Sequence, residues 1–297
     1  MATLGARVAG AGLLEVPWAC ARGRTLAAMN RAVLRTLPAL GAAVLLAAGA
    51  VAVDQSGANA AATAGERLPD LEQEVPTGLV ITGAARHPYW RLGFRSAVRN
   101  VGDGPLILDG RRPAPGAATM LADQVIERDG APSAVVPGAG RLRYVSSPDH
   151  RHWHLLRFDR YELRRPDGRA VVKDRKTGFC LGDRYQVLGP DLPARAAQPL
   201  YRSRCGLDHP ELLGIREGIS VGYGDDYVAN LEGQWLPLDG LKAGRYVLVH
   251  RVNADGRLRE RSRANDAASL LFRLRWRHKA PQATILATCR AAVRCTK

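Results

Sequence analysis

Three of the seven histidines in this chain of 297 residues lie at alternate positions of one short segment. They are His150, His152 and His154, within the stretch SSPDHRHWHLLRF at 146–158. Residues i, i+2 and i+4 of a β-strand face one side, with the outer two Cα atoms about 13 Å apart. If the strand bends, the three imidazoles can meet at one ion. Neutral imidazole nitrogens suit copper, zinc, iron or nickel, and three ligands leave a position open for water, oxygen or substrate. The spacing predicts a metal site; the alternative is a solvated strand face.

The other four histidines stand alone in the sequence, and we expect them to be structural; they are His87, His209, His250 and His278. His250 lies within the apolar stretch YVLVHRV. This position indicates a hydrogen-bonded core histidine or one that supports the site.

The elements that must position the three histidines are predicted to be strands. The stretch LLFRLRW at 270–276 alternates apolar and basic side chains, as a half-buried strand does. Two hairpins are predicted, one turning at 166–168 (PDG) and one at 255–256 (DG). No helical period persists over three turns between residues 68 and 276. We therefore predict an all-β fold, an antiparallel β-sandwich with few helices and long connections at 109–140 and 183–217.

Composition limits the classes of partner. Hydrophobic residues make up 46% of the chain, enough for a sizeable core. The net charge of +15 comes mostly from scattered arginines, without the dense runs of a nucleic-acid-binding arm. We therefore expect no nucleic-acid partner, and binding to another polyanion is the alternative.

The N-terminal region has the pattern of an export signal. After Met29 come two basic residues, Arg31 and Arg35, and then the uncharged stretch 36–53. Small residues at 58–60 (ANA) could form a cleavage site. We predict that translation starts at Met29 rather than at Met1 and that residues 1–60 contain a secretory signal. An uncleaved membrane anchor is the alternative, because 18 residues is about the shortest spanning length.

Cysteine usage agrees with export. Beyond the leader, the chain has Cys180, Cys205, Cys289 and Cys295, and no CxxC motif. Four cysteines allow three pairings, of which the simplest joins Cys180 to Cys205 and Cys289 to Cys295. Disulfides of this kind are typical of secreted proteins.

Three motifs together resemble the catalytic domain of the lysyl oxidases. They are DHRHWH, DRKTGFCLGD and the stretch EGISVGYGDDYVANLEGQWLPLDGLKAGRYVLVHRVN, in that order and with similar spacing. The resemblance extends upstream to LPDL and FRSAVRNVGDGPL and covers most of residues 68–276. It implies a catalytic domain at 66–279, followed by a C-terminal tail at 280–297.

The resemblance also implies a chemistry. The three histidines match the copper ligands of the family, and Lys176 and Tyr227 match the pair that the family joins into lysine tyrosylquinone. The implied activity is a secreted amine oxidase that uses copper(II), the quinone and molecular oxygen. Its substrate would be peptidyl lysine or a small primary amine. Asp225, next to the quinone tyrosine, is a candidate general base.

The sequence departs from the animal members in ways that bear on function. Gly233 stands where animal enzymes have a cysteine, and no histidine lies between His154 and Tyr161, so a base from that region does not transfer. A strongly cationic chain is a poor match for polycationic substrates, although the acidic residues Asp225, Asp226 and Glu232 could attract an amine.

Two other functions remain open at this point. One is a secreted copper-binding protein in which no quinone forms. The other is a zinc-dependent hydrolase with three histidine ligands, which would need a general base near the metal and no role for Lys176 or Tyr227.

Overall fold

The computed structural model describes residues 63–84, 87–173, 178–189, 192–229 and 231–296, and these ranges contain strands but no helix. The strands are β1 (Glu66–Arg67), β2 (Leu71–Gln73), β3 (Thr77–Ala84), β4 (His87–Asn100), β5 (Leu106–Arg111), β6 (Thr119–Arg128), β7 (Ala131–Ser146), β8 (Arg151–Leu155), β9 (Asp159–Arg164), β10 (Ala170–Lys173), β11 (Tyr185–Gln186), β12 (Gly214–Ile219), β13 (Tyr223–Tyr227), β14 (Trp235–Pro237), β15 (Gly244–Val252), β16 (Ala267–Arg277) and β17 (Ala280–Cys289). In the described part of the chain, no helix is long and apolar enough to cross a membrane.

The strands form three antiparallel sheets. The first sheet has the order β12-β5-β6-β7-β8, and β1 also pairs with β6. The second sheet has the order β10-β9-β15-β16-β17. The third sheet has the order β11-β13-β4-β14, with β2 and β3 also paired to β4. The predicted all-β antiparallel sandwich is therefore confirmed.

Two apolar cores hold the sheets together, and β4 contributes to both. Its alternate residues Leu92 and Phe94 pack against the second sheet, where Leu270 and Phe272 of β16 are fully buried. Further along the same face, Val98 packs into the core of the first sheet. The period of two in a strand sends all these side chains inward, and burial of each stabilises the fold by about 1.5–3 kcal/mol.

The local sequence predictions have mixed outcomes. The hairpin at 166–168 is confirmed, since β9 pairs with β10. The hairpin at 255–256 is wrong, because residues 253–266 contain no strand and β15 pairs with β16 instead. The stretch 109–140 is not a long connection, since it holds β6 and the first part of β7. Within the region assigned to a tail, Ala280–Cys289 is strand β17.

Both disulfides of the simplest pairing are present, Cys180 with Cys205 and Cys289 with Cys295. The second closes the segment after β17, where the buried Cys295 packs against Val247, Val249 and Leu271 on the outer face of the second sheet. Leu271 lies on the face of β16 that also carries basic residues, and it is buried because the segment around Cys295 covers it.

Candidate active site

The histidine segment forms one side of a hairpin at the edge of the first sheet. β8 pairs with β7, and the turn between them is closed by two backbone hydrogen bonds between Ser147 and His150, of 2.8 and 3.2 Å. On its other edge, β8 is bound by loops: the Trp153 N–H donates to the Cys205 carbonyl, and Leu155 exchanges hydrogen bonds with Phe179. Trp153 itself is buried in the core. The strand is therefore fixed on both edges, and its histidines face away from the core.

The three imidazoles converge. One ring nitrogen from each of His150, His152 and His154 lies within 4.8 Å of the others. The His152 Nε2 is 2.8 Å from the His154 Nε2 and 3.4 Å from the His150 Nδ1. His150 and His154 are buried, while His152 is half-buried. The structure thus brings together the three histidines that the spacing singled out, as a metal-ligating group would require.

The orientation of His150 fits a metal ligand. Its Nε2 lies 3.3 Å from the Glu232 carbonyl oxygen, which can only accept, so the Nε2–H donates there. The lone pair of Nδ1 is then directed toward the other two histidines. A metal-ligating histidine usually makes such a second hydrogen bond, which fixes the tautomer. For His152, burial and the proximity of His150, Arg184 and Arg204 lower the pKa to about 4, so the ring is a neutral ligand at neutral pH.

Tyr227 lies at the end of β13, beside the histidines. Its ring centroid is 6.3 Å from that of His150, and it stacks on Phe179 at 4.0 Å with the planes 3° apart. The Cys180 N–H donates a hydrogen bond of 2.9 Å to the phenol oxygen. Burial raises the pKa of this phenol well above its usual value. The tyrosine is therefore a neutral, firmly oriented ring.

The loop from Gly178 to Arg184 is hydrogen-bonded both to the histidine strand β8 and to the tyrosine strand β13. Three successive N–H groups of this loop donate to three side chains of the first and third sheets. Cys180 donates to Tyr227 at 2.9 Å, Leu181 to Glu217 at 3.3 Å and Gly182 to Asp225 at 2.9 Å. The disulfide to Cys205 holds the same loop against β8.

A pocket of about 310 Å³ opens where these elements meet. Its lining residues are Asp149, His150, His152, Cys180, Arg184, Arg204, Leu207, Asp225, Asp226, Tyr227 and Leu231. The volume is at the lower end of the range for small-molecule sites. One pocket thus contains two of the three converging histidines, the tyrosine and charged groups of both signs.

Residues 123–281, just over half of the chain, match the family model described as lysyl oxidase. The chain belongs to the lysyl oxidase family. The resemblance carried by the three sequence motifs is thereby confirmed, and the matched region contains all the converging histidines, Lys176, Asp225 and Tyr227.

Several curated proteins are similar to this lysyl oxidase domain. The chain is 26% identical over 136 residues to lysyl oxidase homolog 3 of Homo sapiens, 28% over 132 residues to lysyl oxidase homolog 3B of Danio rerio and 25% over 131 residues to lysyl oxidase homolog 4 of Mus musculus. Each similarity covers 44% of this chain. It covers only 14 to 16% of each of these relatives, which are therefore much longer than the shared region.

The lysine that the resemblance assigns to the quinone, Lys176, lies outside the described residues. Gly178, two positions later in the sequence, lies against β8. A Cβ at Gly178 would be 2.6 Å from the Leu155 carbonyl oxygen and 3.0 Å from the His154 Cβ, and its φ of +149° also favours glycine. Glycine therefore lets this lysyl oxidase segment approach the histidine strand closely.

Asp225, the candidate base, lines the pocket from a fully buried position. Burial raises its pKa well above the usual value, and Arg184, whose Nε is 3.8 Å from Oδ1, acts in the opposite direction. Asp226 lies on the same strand but forms an ion pair with Arg95 at 2.8 Å. Glu232 does not line the pocket, although its backbone carbonyl holds His150.

Two other acids, one in the motif DRKTGFCLGD and one shortly after the histidine segment, have structural roles. Asp183 accepts hydrogen bonds from the N–H groups of Leu200, Tyr201 and Ser220 and so holds the long loop after β11. Asp159 lies 2.9 Å from the buried His250 Nε2. The expectation that His250 is a hydrogen-bonded core histidine is confirmed.

Sequence reasoning missed Glu217, which is fully buried behind the pocket. Burial, with the nearby Asp225 charge, raises its pKa well above the usual 4.5, although the Leu181 N–H opposes this. The signal was present in the sequence: Glu217 lies between Ile215 and Ile219, a charged residue at an inward position of an apolar strand face.

We expect Glu217→Gln to stabilise the protein at pH 8 but not near pH 4. The folded state binds the proton of Glu217 more tightly than the unfolded chain does, so wild-type stability falls as the pH rises above 4.5. Glutamine keeps an acceptor for the Leu181 N–H and removes this dependence. Urea unfolding at both pH values should show a gain of roughly 1–3 kcal/mol at pH 8 only. Glu232→Gln, at an exposed position, should change neither value, and equal curves for Glu217→Gln and wild type would contradict the prediction.

Proposed function

We propose that this protein is a copper- and quinone-dependent amine oxidase. It converts a primary amine, oxygen and water into an aldehyde, ammonia and hydrogen peroxide. Bound copper, with oxygen, supplies the oxidation that turns a tyrosine ring into a quinone, and the quinone carbonyl supplies an electrophile that ordinary side chains lack. His150, His152 and His154 would hold the copper, and Tyr227 and Lys176 would form the lysine tyrosylquinone.

The observation that carries this proposal is the position of Tyr227. A buried tyrosine in a sandwich is ordinary, but this ring lines the same pocket as His150 and His152, with its centroid 6.3 Å from that of His150. Three neutral imidazoles form a suitable donor set for copper(II) and leave a position open. A zinc hydrolase would use the same histidines, but Tyr227 would have no role in its reaction.

The side chains around Tyr227 orient it and shield it. Phe179 covers one ring face and excludes water from it. The Cys180 N–H fixes the oxygen of the ring. Asp225 is our candidate for taking the proton from the amine-bearing carbon, because it is a buried carboxyl group that lines the pocket, two residues from Tyr227. Burial raises the pKa of Asp225 well above its usual value, which strengthens it as a proton acceptor, and Arg184 opposes this shift.

The position of Gly178 supports a role for Lys176. Gly178, two residues after this lysine in the sequence, lies beside His154 and Leu155. The resemblance of the motif KTGFC to the family implies that Lys176 is the residue that forms the cross-link.

We also propose that the protein is exported. Both disulfides of the described structure are typical of an oxidising compartment. The proposed signal at residues 1–60 precedes the described residues, and the proposed catalytic domain extends over 66–279.

Tryptic peptide mapping tests the quinone directly. Trypsin does not cleave after a cross-linked lysine, so copper-loaded protein exposed to air should yield peptide 176–184 joined to peptide 217–242 after disulfide reduction. Protein prepared without copper should yield peptide 177–184, since an unmodified Lys176 is cleaved, together with a free 217–242.

The outcomes separate the candidate functions. A joined, oxidised peptide from protein that contains stoichiometric copper supports the amine oxidase. Separate, unmodified peptides from fully copper-loaded protein would contradict it in favour of a copper-binding protein. Metal analysis that finds zinc after expression with both metals, with no joined peptide, would favour the hydrolase.

A further inference from the structure

We propose that the pocket selects primary amines that carry a carboxylate about one side-chain length from the amine, and that Arg204 binds this carboxylate. The inference rests on the proposed amine oxidase function and adds the class of substrate. Arg204 would then be a specificity-determining residue.

The pocket lining has the charge pattern of a zwitterionic ligand. Asp149 and Asp226 are acidic groups to which an ammonium group is attracted. Leu207 and Leu231 offer apolar contact for the methylene groups of a lysine-like chain. Arg184 and Arg204 place two guanidinium groups in the same lining, and a simple monoamine or diamine offers no anionic group to either of them.

The two arginines differ in the contacts that their side chains make with the rest of the protein. The Arg184 side chain contacts the Cys180 Sγ at 3.2 Å and the Ser203 carbonyl at 3.4 Å and lies 3.8 Å from Asp225. Arg204 is exposed and, among the described residues, makes no hydrogen bond or ion pair with its side chain. A guanidinium with its planar set of donors available suits a carboxylate, which it can bind through two parallel hydrogen bonds.

The backbone of Arg204 is held at a fixed distance from the histidines. The next residue, Cys205, is buried, is joined to Cys180 and accepts the Trp153 N–H of β8. A rigid part of the fold therefore holds the backbone of Arg204, whose side chain belongs to the pocket lining.

The positive net charge of the whole chain also favours a substrate that carries a carboxylate. A net charge of +15 speeds encounter with anionic molecules and slows encounter with polycations. An amine with a neighbouring carboxylate, either as a free amino acid or next to an acidic residue in a peptide, avoids the repulsion that a polylysine-like substrate would meet.

The test compares two matched amines on copper-loaded, full-length protein. Nα-acetyl-lysine carries a free carboxylate, whereas Nα-acetyl-lysine amide does not. We expect wild type to show a kcat/KM for the first that is roughly five- to tenfold higher, mostly through KM. Arg204→Gln should abolish the preference, so that the ratio of kcat/KM for the acid to kcat/KM for the amide falls to about one. Arg202→Gln, also exposed and two residues away but outside this pocket lining, is the control and should keep the preference.

A second pair of substrates identifies the source of the carboxylate. Peptides with blocked ends that contain Glu-Lys or Gln-Lys should differ if an acidic neighbour is what Arg204 binds, and should be equal if only the α-carboxylate fits. Equal rates for both members of both pairs in wild type would overturn the inference while leaving the amine oxidase intact. A preference that persists in Arg204→Gln would also overturn the role of this residue. If no amine at all is oxidised by copper-loaded protein, the proposed function fails, and the inference fails with it.

Discussion

Replacing Tyr227 with phenylalanine is expected to leave copper binding intact and to lower amine oxidation by roughly three orders of magnitude or more. The reason is chemical: a phenylalanine ring has no oxygen from which a quinone can be made, and no other side chain supplies the electrophile. The joined peptide of residues 176–184 and 217–242 should be absent. Copper content, peptide mapping and hydrogen peroxide release measure the three consequences separately.

The variant should fold, because phenylalanine keeps the stacking on Phe179. It loses the acceptor of the Cys180 N–H, at a cost of about 1–3 kcal/mol. Tyr223→Phe is the matched control: it changes a buried tyrosine on the same strand, four residues away and outside this pocket lining, and should retain full activity. If Tyr227→Phe still gave a quinone-containing peptide, another residue would have to be its source.

Strand geometry explains why the histidines could be predicted from sequence. The period of two in a strand makes i, i+2 and i+4 a shared face whatever the rest of the fold is, so His150, His152 and His154 needed no tertiary information. The same rule accounts for β16, whose alternate leucines enter the core. The disulfide between Cys180 and Cys205 was likewise predictable, because four cysteines leave few pairings.

Tertiary partners were not predictable in the same way. The Asp255-Gly256 pair carries a hairpin signal, yet residues 257–266, which follow it directly, form no strand. The chain returns along β15 only later, as β16, and β9 pairs with the other edge of β15. The turn signal is local, whereas the choice of partner strand depends on which apolar faces fit together. The region 109–140 shows the opposite error, because a connection was predicted where strand β6 forms. The buried positions of β6 include Ala122 and Gln124, so the apolar alternation along this strand is weak.

The hydrogen bonds donated by the three successive N–H groups of the loop at 180–182 could not be predicted from the sequence either. Backbone donors carry no residue signature, and their acceptors Tyr227, Asp225 and Glu217 come from two different strands. The sequence resemblance selected Tyr227 and Asp225 but gave no reason for their orientation. Only the fold shows that one loop orients the tyrosine and both buried acids together.

Replacing His152 with alanine is expected to weaken copper binding at least 100-fold and to abolish quinone formation as a consequence. Loss of an outer hydrogen-bonding partner alone typically costs 10- to 100-fold in metal affinity, so loss of a ligand should cost at least as much.

His152 is the half-buried member of the three, so its removal leaves no large cavity in the core. Its loss should leave the unfolding midpoint of the copper-free protein almost unchanged. His209→Ala is the control, because this exposed histidine lies outside the cluster and its side chain pairs with Glu211 at the surface. Competition with a copper chelator gives the affinity, and peptide mapping gives the quinone. An unchanged copper affinity in His152→Ala would show that the convergence of the three rings has another cause, and the metal site would have to be sought elsewhere in the chain.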